Sequence, residues 1–308
     1  TRTSSLPTRD MGKQSKPTRE VKQDSFESEN HYYQKTINAQ VSSVVHHFMN
    51  LGNERIISRY MHLNPNASRE ALKEILYYKP KFFKWSGADL FNVATSNGVR
   101  KMVLIETNSC PSGQKSMPVL AEHDEYGGYK QLMELTFKPL VEELAKEKGI
   151  TEGRIAVVYD KNFMEASGYA STLADVFDTD ILLAEFHSSE TDPNVRFNED
   201  RVMEIRDAKG VWHPIKAAFR YVTQKPWDRL PVDDCKTVIL NPIICCLAGG
   251  RNKLLAAKAY DFLNAELTNT GLKLNVPHTI RDVEKTVIPI WISTMGGFAV
   301  VKNPSSNA

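Results

Sequence analysis

Two short apolar segments separated by one helix-length stretch constrain the fold of this chain more than any other feature. Ile155-Ala-Val-Val-Tyr159 and Ile181-Leu-Leu-Ala-Glu-Phe186 have the pattern of short buried strands, and residues 165–177 between them have the pattern of a helix. A strand, a helix and a strand in that order predict a βαβ unit and a parallel sheet. Further strands are expected at 217–222 and 237–240. Val202–Arg206 and Val211–Pro214 flank Asp207-Ala-Lys-Gly210 as a hairpin. No internal repeat is visible.

The N-terminal half follows a different rhythm. Residues 1–24 are rich in Ser, Thr, Lys and Arg and poor in core formers, which predicts a disordered leader. Residues 26–50 carry a helical pattern that includes His46-His47. Neighbours on a helix face different directions, so this pair is a poor chelator. A helix is expected from an N-cap at Ser68, with Glu70 in its first turn, to about Tyr78. Residues 88–106 predict a hairpin around Asn97-Gly98, a pair suited to a two-residue I′ turn. An amphipathic helix over 127–148 carries Leu132, Leu135, Leu140 and Leu144, and Pro139 is expected to kink or divide it.

With 308 residues, 41% of them hydrophobic, the chain can build one large or two ordinary domains. A net charge of +2, from 39 basic and 37 acidic residues, offers no electrostatic argument for nucleic acid or an anionic membrane. Cys110, Cys235, Cys245 and Cys246 lack zinc spacing, so reduced thiols in a cytoplasmic protein are the simplest account. No apolar run is long enough to span a bilayer.

Three segments carry candidate chemistry. The first is Val99–Gly113, a buried strand that ends in Glu106-Thr-Asn108 and enters a Pro/Gly/Ser loop. Residues two apart on a strand share a face. Glu106 and Asn108 can therefore converge on one Mg²⁺, an ion that takes few protein ligands and completes its shell with water and phosphate oxygens. The plainer alternative is an exposed acid and a turn-forming Asn. The second is Gly249-Gly-Arg-Asn-Lys253, with Lys253 in the first turn of a helix over about 251–267. A cation is disfavoured at that end of the dipole, so a Lys there often serves an anion; a solvated surface Lys is the alternative. The third is Phe298-Ala-Val-Val-Lys302, an expected strand that leads into Asn303-Pro-Ser-Ser-Asn-Ala308. A small-residue loop can wrap phosphates while Lys supplies a point charge, and an ordinary strand exit is the alternative. Cys110 reads as a small loop residue.

The order of these segments resembles the circularly permuted ATP-grasp ligases, the group of eukaryotic glutathione synthetase and glutathionylspermidine synthase. In that group the Glu-x-Asn metal strand precedes the phosphate loop, as Glu106-Thr-Asn108 precedes Lys302 here. Asp89-Leu-Phe…Leu104-Ile-Glu-Thr-Asn resembles the family's metal hairpin. Asn241-Pro…Gly250-Arg-Asn-Lys253-Leu resembles the helix bearing the first ATP lysine, and Val300-Val-Lys302-Asn303-Pro the second lysine strand. The motif-bearing parts cover about 85–120, 236–262 and 294–308. The glycines that follow the second lysine in the family are absent, because the sequence stops at Ala308.

The resemblance implies an α/β, ATP-grasp-like fold with an inserted α/β substrate domain. It places a leader at 1–24, the N-terminal part of the ATP-grasp domain at 25–150, the substrate domain at 151–240 and the first ATP-binding segment at 241–308. The C-terminal part of that domain is expected beyond Ala308. The implied activity is ADP-forming ligation of a carboxylate and an amine through an acyl phosphate. Glu106 and Asn108 would bind Mg²⁺, and Lys253, Lys302 and Asn303 would bind ATP. Arg220, on the strand Phe219-Arg-Tyr, would hold a carboxylate or the acyl phosphate, since a guanidinium matches such oxyanions bidentately; a structural salt bridge is the alternative. The implied partners are small-molecule substrates, with no nucleic acid or membrane, and a homodimer is open to the chain. Two other readings remain: an inactive nucleotide-binding regulatory module, and a Rossmann-like small-molecule domain, although no Gly-x-Gly-x-x-Gly follows Tyr159.

Overall fold

The computed structural model describes residues 14–27, 43, 47–48, 50–112, 127–221, 229–231, 234–245 and 252–302. In chain order these form β1 (Arg19–Val21), α1 (Asn53–Leu63), α2 (Arg69–Tyr77), β2 (Gly87–Ala94), β3 (Arg100–Asn108), α3 (Gly127–Leu132) and α4 (Lys138–Glu147). There follow β4 (Arg154–Tyr159), α5 (Phe163–Phe177), β5 (Ile181–Glu185), β6 (Val195–Phe197), β7 (Met203–Arg206), β8 (Trp212–Tyr221), β9 (Val238–Ile239), α6 (Lys253–Glu266) and α7 (Val287–Thr294). The protein is mixed α/β. It divides into two compact units, Thr1–Val41 with Cys110–Ile243, and Ser42–Ser109 with Ile244–Ala308.

The first unit is built on a mixed seven-stranded sheet in the order β1-β5-β4-β8-β7-β6, with β9 also paired to β8. The expected βαβ unit is present. β4 pairs in parallel with β5, from Ala156↔Leu182 to Tyr159↔Glu185, and with β8 on its other edge. The two expected strands around residues 212 and 217 are one strand, β8. Its first half pairs antiparallel with β7 and its second half in parallel with β9. α5 is buried from Glu165 to Ala174. Its run of Ala, Ser and Gly lets the backbone lie close to the sheet. Above the sheet the Tyr169 ring packs 4.4 Å from Phe219 and 4.6 Å from Tyr129, centroid to centroid.

The division differs from the expected boundary near residue 150. α3, α4 and the widened turn between them bury Tyr129, Met133, Phe137, Leu140 and Val141. Phe137 packs edge-on against Phe219 at 6.0 Å, which ties this helix to the sheet of the first unit. Pro139 does not break it. The Lys138 N–H donates to the Met133 carbonyl, five residues back, so a single widened turn over Met133–Phe137 absorbs the donor that proline lacks. Leu135, expected on the apolar face, is 75% exposed.

The expectation of a disordered leader through residue 24 is corrected for its second half. Arg19–Val21 forms an antiparallel edge strand on β5. Lys16 N–H donates to Glu185 at 3.1 Å, and Asn194 Nδ2 donates to the Lys16 carbonyl at 2.8 Å. Specific partners on the sheet order a segment whose composition alone lacks core formers. Residues 1–13 lie outside the described residues, as does most of the helix expected over 26–50.

In the second unit, Ser68 caps α2 as expected, with its hydroxyl accepting from the Ala71 N–H. β2 and β3 form the expected hairpin. Its turn is not the two-residue I′ type. Gly98 N–H donates to Thr95 and Thr95 N–H donates to Val99, both at 2.9 Å, and of the pair Asn97-Gly98 only Gly98 has positive φ, +79°. This is a three-residue loop with a G1 bulge. Asp207, Gly210 and Val211 repeat it between β7 and β8. Ile57, Ala67, Leu72, Leu267 and Leu272 form the unit's small core between α1, α2 and the end of α6. The strand expected at 298–302 is absent. These residues have no regular structure, and Phe298, Val300 and Val301 are 89%, 83% and 76% exposed, so no neighbouring strand pairs their backbone among the described residues.

Gly271 closes the turn after α6 at φ +69°. A Cβ there would meet the Asn66 carbonyl oxygen at 2.5 Å and Ala67 Cα at 2.9 Å. Gly271→Ala is expected to destabilise the protein by about 2 kcal/mol or more, through the strained backbone and the backbone clash together. Urea unfolding followed by circular dichroism measures this, and an unchanged midpoint would show that the α2–α6 junction yields freely.

Candidate functional site

β3 delivers Glu106 and Asn108 near its C-terminal end. α6 delivers Lys253 as its first residue, after Asn252, whose side chain caps the helix by accepting from the Leu255 N–H at 2.9 Å. The helix is held to the strand by a series of local contacts. Tyr260 OH lies 3.5 Å from Thr107 Oγ1. Asn264 clasps Leu274 through two hydrogen bonds of 2.8 and 3.0 Å, and the next residue, Asn275, accepts from the Leu104 N–H at 2.9 Å. Lys253 and Tyr260 lie two helical turns apart, so the same face of α6 meets Glu106 and Thr107.

The consequence is a convergence on a single oxygen. Lys253 Nζ, 147 residues away in sequence, donates to Glu106 Oε2. Lys302 Nζ lies 3.8 Å from the same atom. The Glu106, Lys253 and Lys302 side chains are 24%, 16% and 35% exposed, so the group is partly shielded from water. Burial pushes the Glu106 carboxyl up. The Lys253 hydrogen bond, the charges of Lys253 and Lys302 and a hydrogen bond from Asn108 outweigh it, and the net shift is downward.

Four of the expected site residues therefore meet in the second unit: Glu106, Asn108, Lys253 and Lys302. Asn303 lies outside the described residues, as do Gly249, Gly250 and Arg251. Arg220 belongs to the first unit. It is 2% exposed near the end of β8, and its Nε and Nη2 donate to the Asn241 carbonyl at 3.0 and 2.8 Å. The Cys110 thiol lies 3.5 Å from the Arg220 carbonyl, in keeping with a structural role for this cysteine. Sequence reading missed Thr107 and Tyr260. The signal for Tyr260 was its place seven residues after Lys253, two helical turns along the same face.

Among the described residues, no group of three or more His, Cys, Asp or Glu side chains is placed to hold a metal ion. One carboxylate and one carboxamide, hydrogen-bonded to each other on β3, suit an ion that brings most of its shell with it, which is the habit of Mg²⁺ on phosphates. They do not suit zinc. Among the described residues no helix is long and apolar enough to cross a membrane. No protein-family model matches the chain, and no curated protein matches it significantly.

The lowered Glu106 titration has a defined sign. The folded-state pKa lies below the ordinary 4.5, so the stability it contributes is complete above that value and is lost as pH falls through the folded value. Lys253→Met should move the Glu106 carboxyl titration upward, as followed by the side-chain carbonyl resonance in ¹³C NMR. An unmoved titration would mean that Lys253 is not the group holding Glu106 ionised.

Proposed function

We propose that this protein is an ATP-dependent, ADP-forming carboxylate–amine ligase of ATP-grasp type. The observation that carries the reading is the meeting of Lys253 and Lys302 at Glu106 Oε2. Each residue has its own chemical reason to serve such a site, and distant parts of the chain supply them. A nucleotide site needs fixed cations for phosphate oxygens and an acid for the metal, and one locus supplies both.

On this reading Lys253 and Lys302 bind the phosphates of ATP as point charges. Asn252 and the Tyr260–Thr107 contact fix the start of α6, so that Lys253 is positioned before the nucleotide arrives. Glu106 and Asn108 would hold Mg²⁺, which when bound neutralises charge developing on the phosphate oxygens. A substrate carboxylate takes the γ-phosphoryl group and ADP leaves. An amine then displaces phosphate from the acyl phosphate, loses a proton and forms the amide. Arg220 stands as the first unit's own candidate for holding a carboxylate group. Its support is a buried guanidinium near the carboxyl end of β8, beside the point where the strand order reverses at β4, which is where open α/β sheets bind ligands. ATP and Mg²⁺ supply and reduced thiols accord with a cytoplasmic setting.

Lys302→Ala is expected to weaken binding of ATP in the presence of Mg²⁺ by about tenfold or more. Its cost in folding stability should stay within ~1 kcal/mol, the range of surface changes. Calorimetric titration and thermal unfolding of the same samples measure the two quantities. Glu106→Gln should abolish ADP formation stimulated jointly by a carboxylate and an amine. Unchanged nucleotide affinity in both Lys302→Ala and Lys253→Ala would remove the ATP-grasp reading.

A further inference from the structure

Resting on the nucleotide-binding reading above, the contacts at Glu106 Oε2 set up a competition. That atom accepts the Lys253 ammonium and lies 3.8 Å from Lys302 Nζ. A divalent cation on Glu106 Oε2 competes with Lys253 for that atom and meets the repulsion of both ammonium groups. A triphosphate needs the ammonium groups that Glu106 holds. We propose that the Lys253–Glu106 pair is an exchangeable internal ion pair that makes the site selective for the metal–nucleotide complex over either free metal or free nucleotide.

The selectivity follows from what each ligand leaves behind. Free metal on Glu106 Oε2 must displace Lys253 from that atom, against two nearby ammonium charges, and leaves a partly buried ammonium group short of its anion. Free ATP on Lys253 and Lys302 must strand the Glu106 carboxylate beside a polyanion. Separating a shielded pair and leaving one member uncompensated costs more than the pair contributes when intact. The metal–nucleotide complex replaces both halves at once, with metal against Glu106 and phosphate against the lysines. Lys253 and Glu106 are 16% and 24% exposed, so the exchange takes place where water screens it only in part. With no group of three or more acidic, His or Cys side chains poised for metal among the described residues, a free ion has no second cage to enter there. Lys253 suits such an exchange chemically, since a flexible four-carbon stem lets its charge swing while α6 stays fixed.

The test uses the whole chain as wild type, Glu106→Gln and Lys253→Met, with ATP titrated in EDTA by calorimetry and Mn²⁺ titrated alone by electron paramagnetic resonance. Glu106→Gln should bind metal-free ATP about tenfold more tightly than wild type, because both lysines are released from the carboxylate. Lys253→Met should bind Mn²⁺ alone about tenfold more tightly and metal-free ATP more weakly. The two gains are opposite in sign to the effect of a merely structural salt bridge, whose loss would loosen the site for both ligands. The proposal is overturned if Glu106→Gln binds metal-free ATP no better than a wild type that binds the Mg²⁺ complex. If Glu106→Gln does not fold, Lys253→Met decides alone, and an Mn²⁺ affinity at or below that of wild type overturns the proposal. A wild type that binds ATP neither with nor without Mg²⁺ removes the ligase reading itself.

Discussion

A parallel strand cannot be reached by a tight turn, and this one restriction organises the first unit. β4 is buried on both faces and pairs in parallel along both edges, with β5 on one side and β8 on the other. Each neighbour has to be reached by a crossover. The first is made by α5, whose small residues let it sit close against the sheet. The second runs out through the antiparallel pair β6–β7 and returns along β8, which is long enough to serve two partners in succession. The carboxyl ends of β4, β5 and β8 consequently lie at one edge of the sheet, on either side of the point where the chain order reverses.

That edge is where the unit buries charge, and each charge has been given local partners. Burial pushes the Glu185 carboxyl up, but the Lys16 N–H, the His187 ring and their charges reverse the shift. Tyr159, 3.4 Å from Glu185, is pushed the other way, first by burial and then by that same carboxylate. Ser15 and Arg229 both donate to the Glu190 carboxylate, whose side chain is fully buried. Arg220 has the Asn241 carbonyl. Interactions of this kind hold geometry more than they add stability, because desolvation offsets most of their Coulomb gain. They also account for the ordering of residues 14–21, which have little apolar surface to bury.

The elements whose identity rests on local pattern were legible in the sequence. The βαβ unit, the Ser68 cap, both hairpins and the helix led by Lys253 each follow from residues close together in the chain. The errors have a common physical source, which is context that no local window contains. The pattern Phe298-Ala-Val-Val is that of a strand, but a strand also needs a neighbour to pair with. The positions around Asn97-Gly98 suit an I′ turn, and the register of the flanking strands selected a loop one residue longer. The leader lacked core formers, yet buried acids in the sheet unit order its second half. In the candidate site, Glu106, Lys253 and Lys302 were each visible as residue types in suggestive places. Their meeting on one oxygen was not, since it depends on how α6 is fixed against β3 through Tyr260, Asn264 and Asn275.

The same contacts bear on how firmly that oxygen is held. β2 and β3 form a two-stranded sheet, and β2 is exposed along nearly its whole length, with Leu90 and Phe91 51% and 62% exposed. A hairpin of this kind is marginal without further support. Its support comes at the Glu106 end, where Leu104 is buried and bonded to Asn275, where Thr107 meets Tyr260 and where Lys253 joins Glu106. The far end, at the Gly98 turn, is held by bonds within the hairpin itself, including those of the Thr95 hydroxyl to Val99. Stability is thus graded along the hairpin and greatest where the chemistry would occur. The proposed exchange of Lys253 for another cation at Glu106 would gain from this arrangement. The backbone beneath it would stay fixed, and the movement would be confined to the lysine side chain.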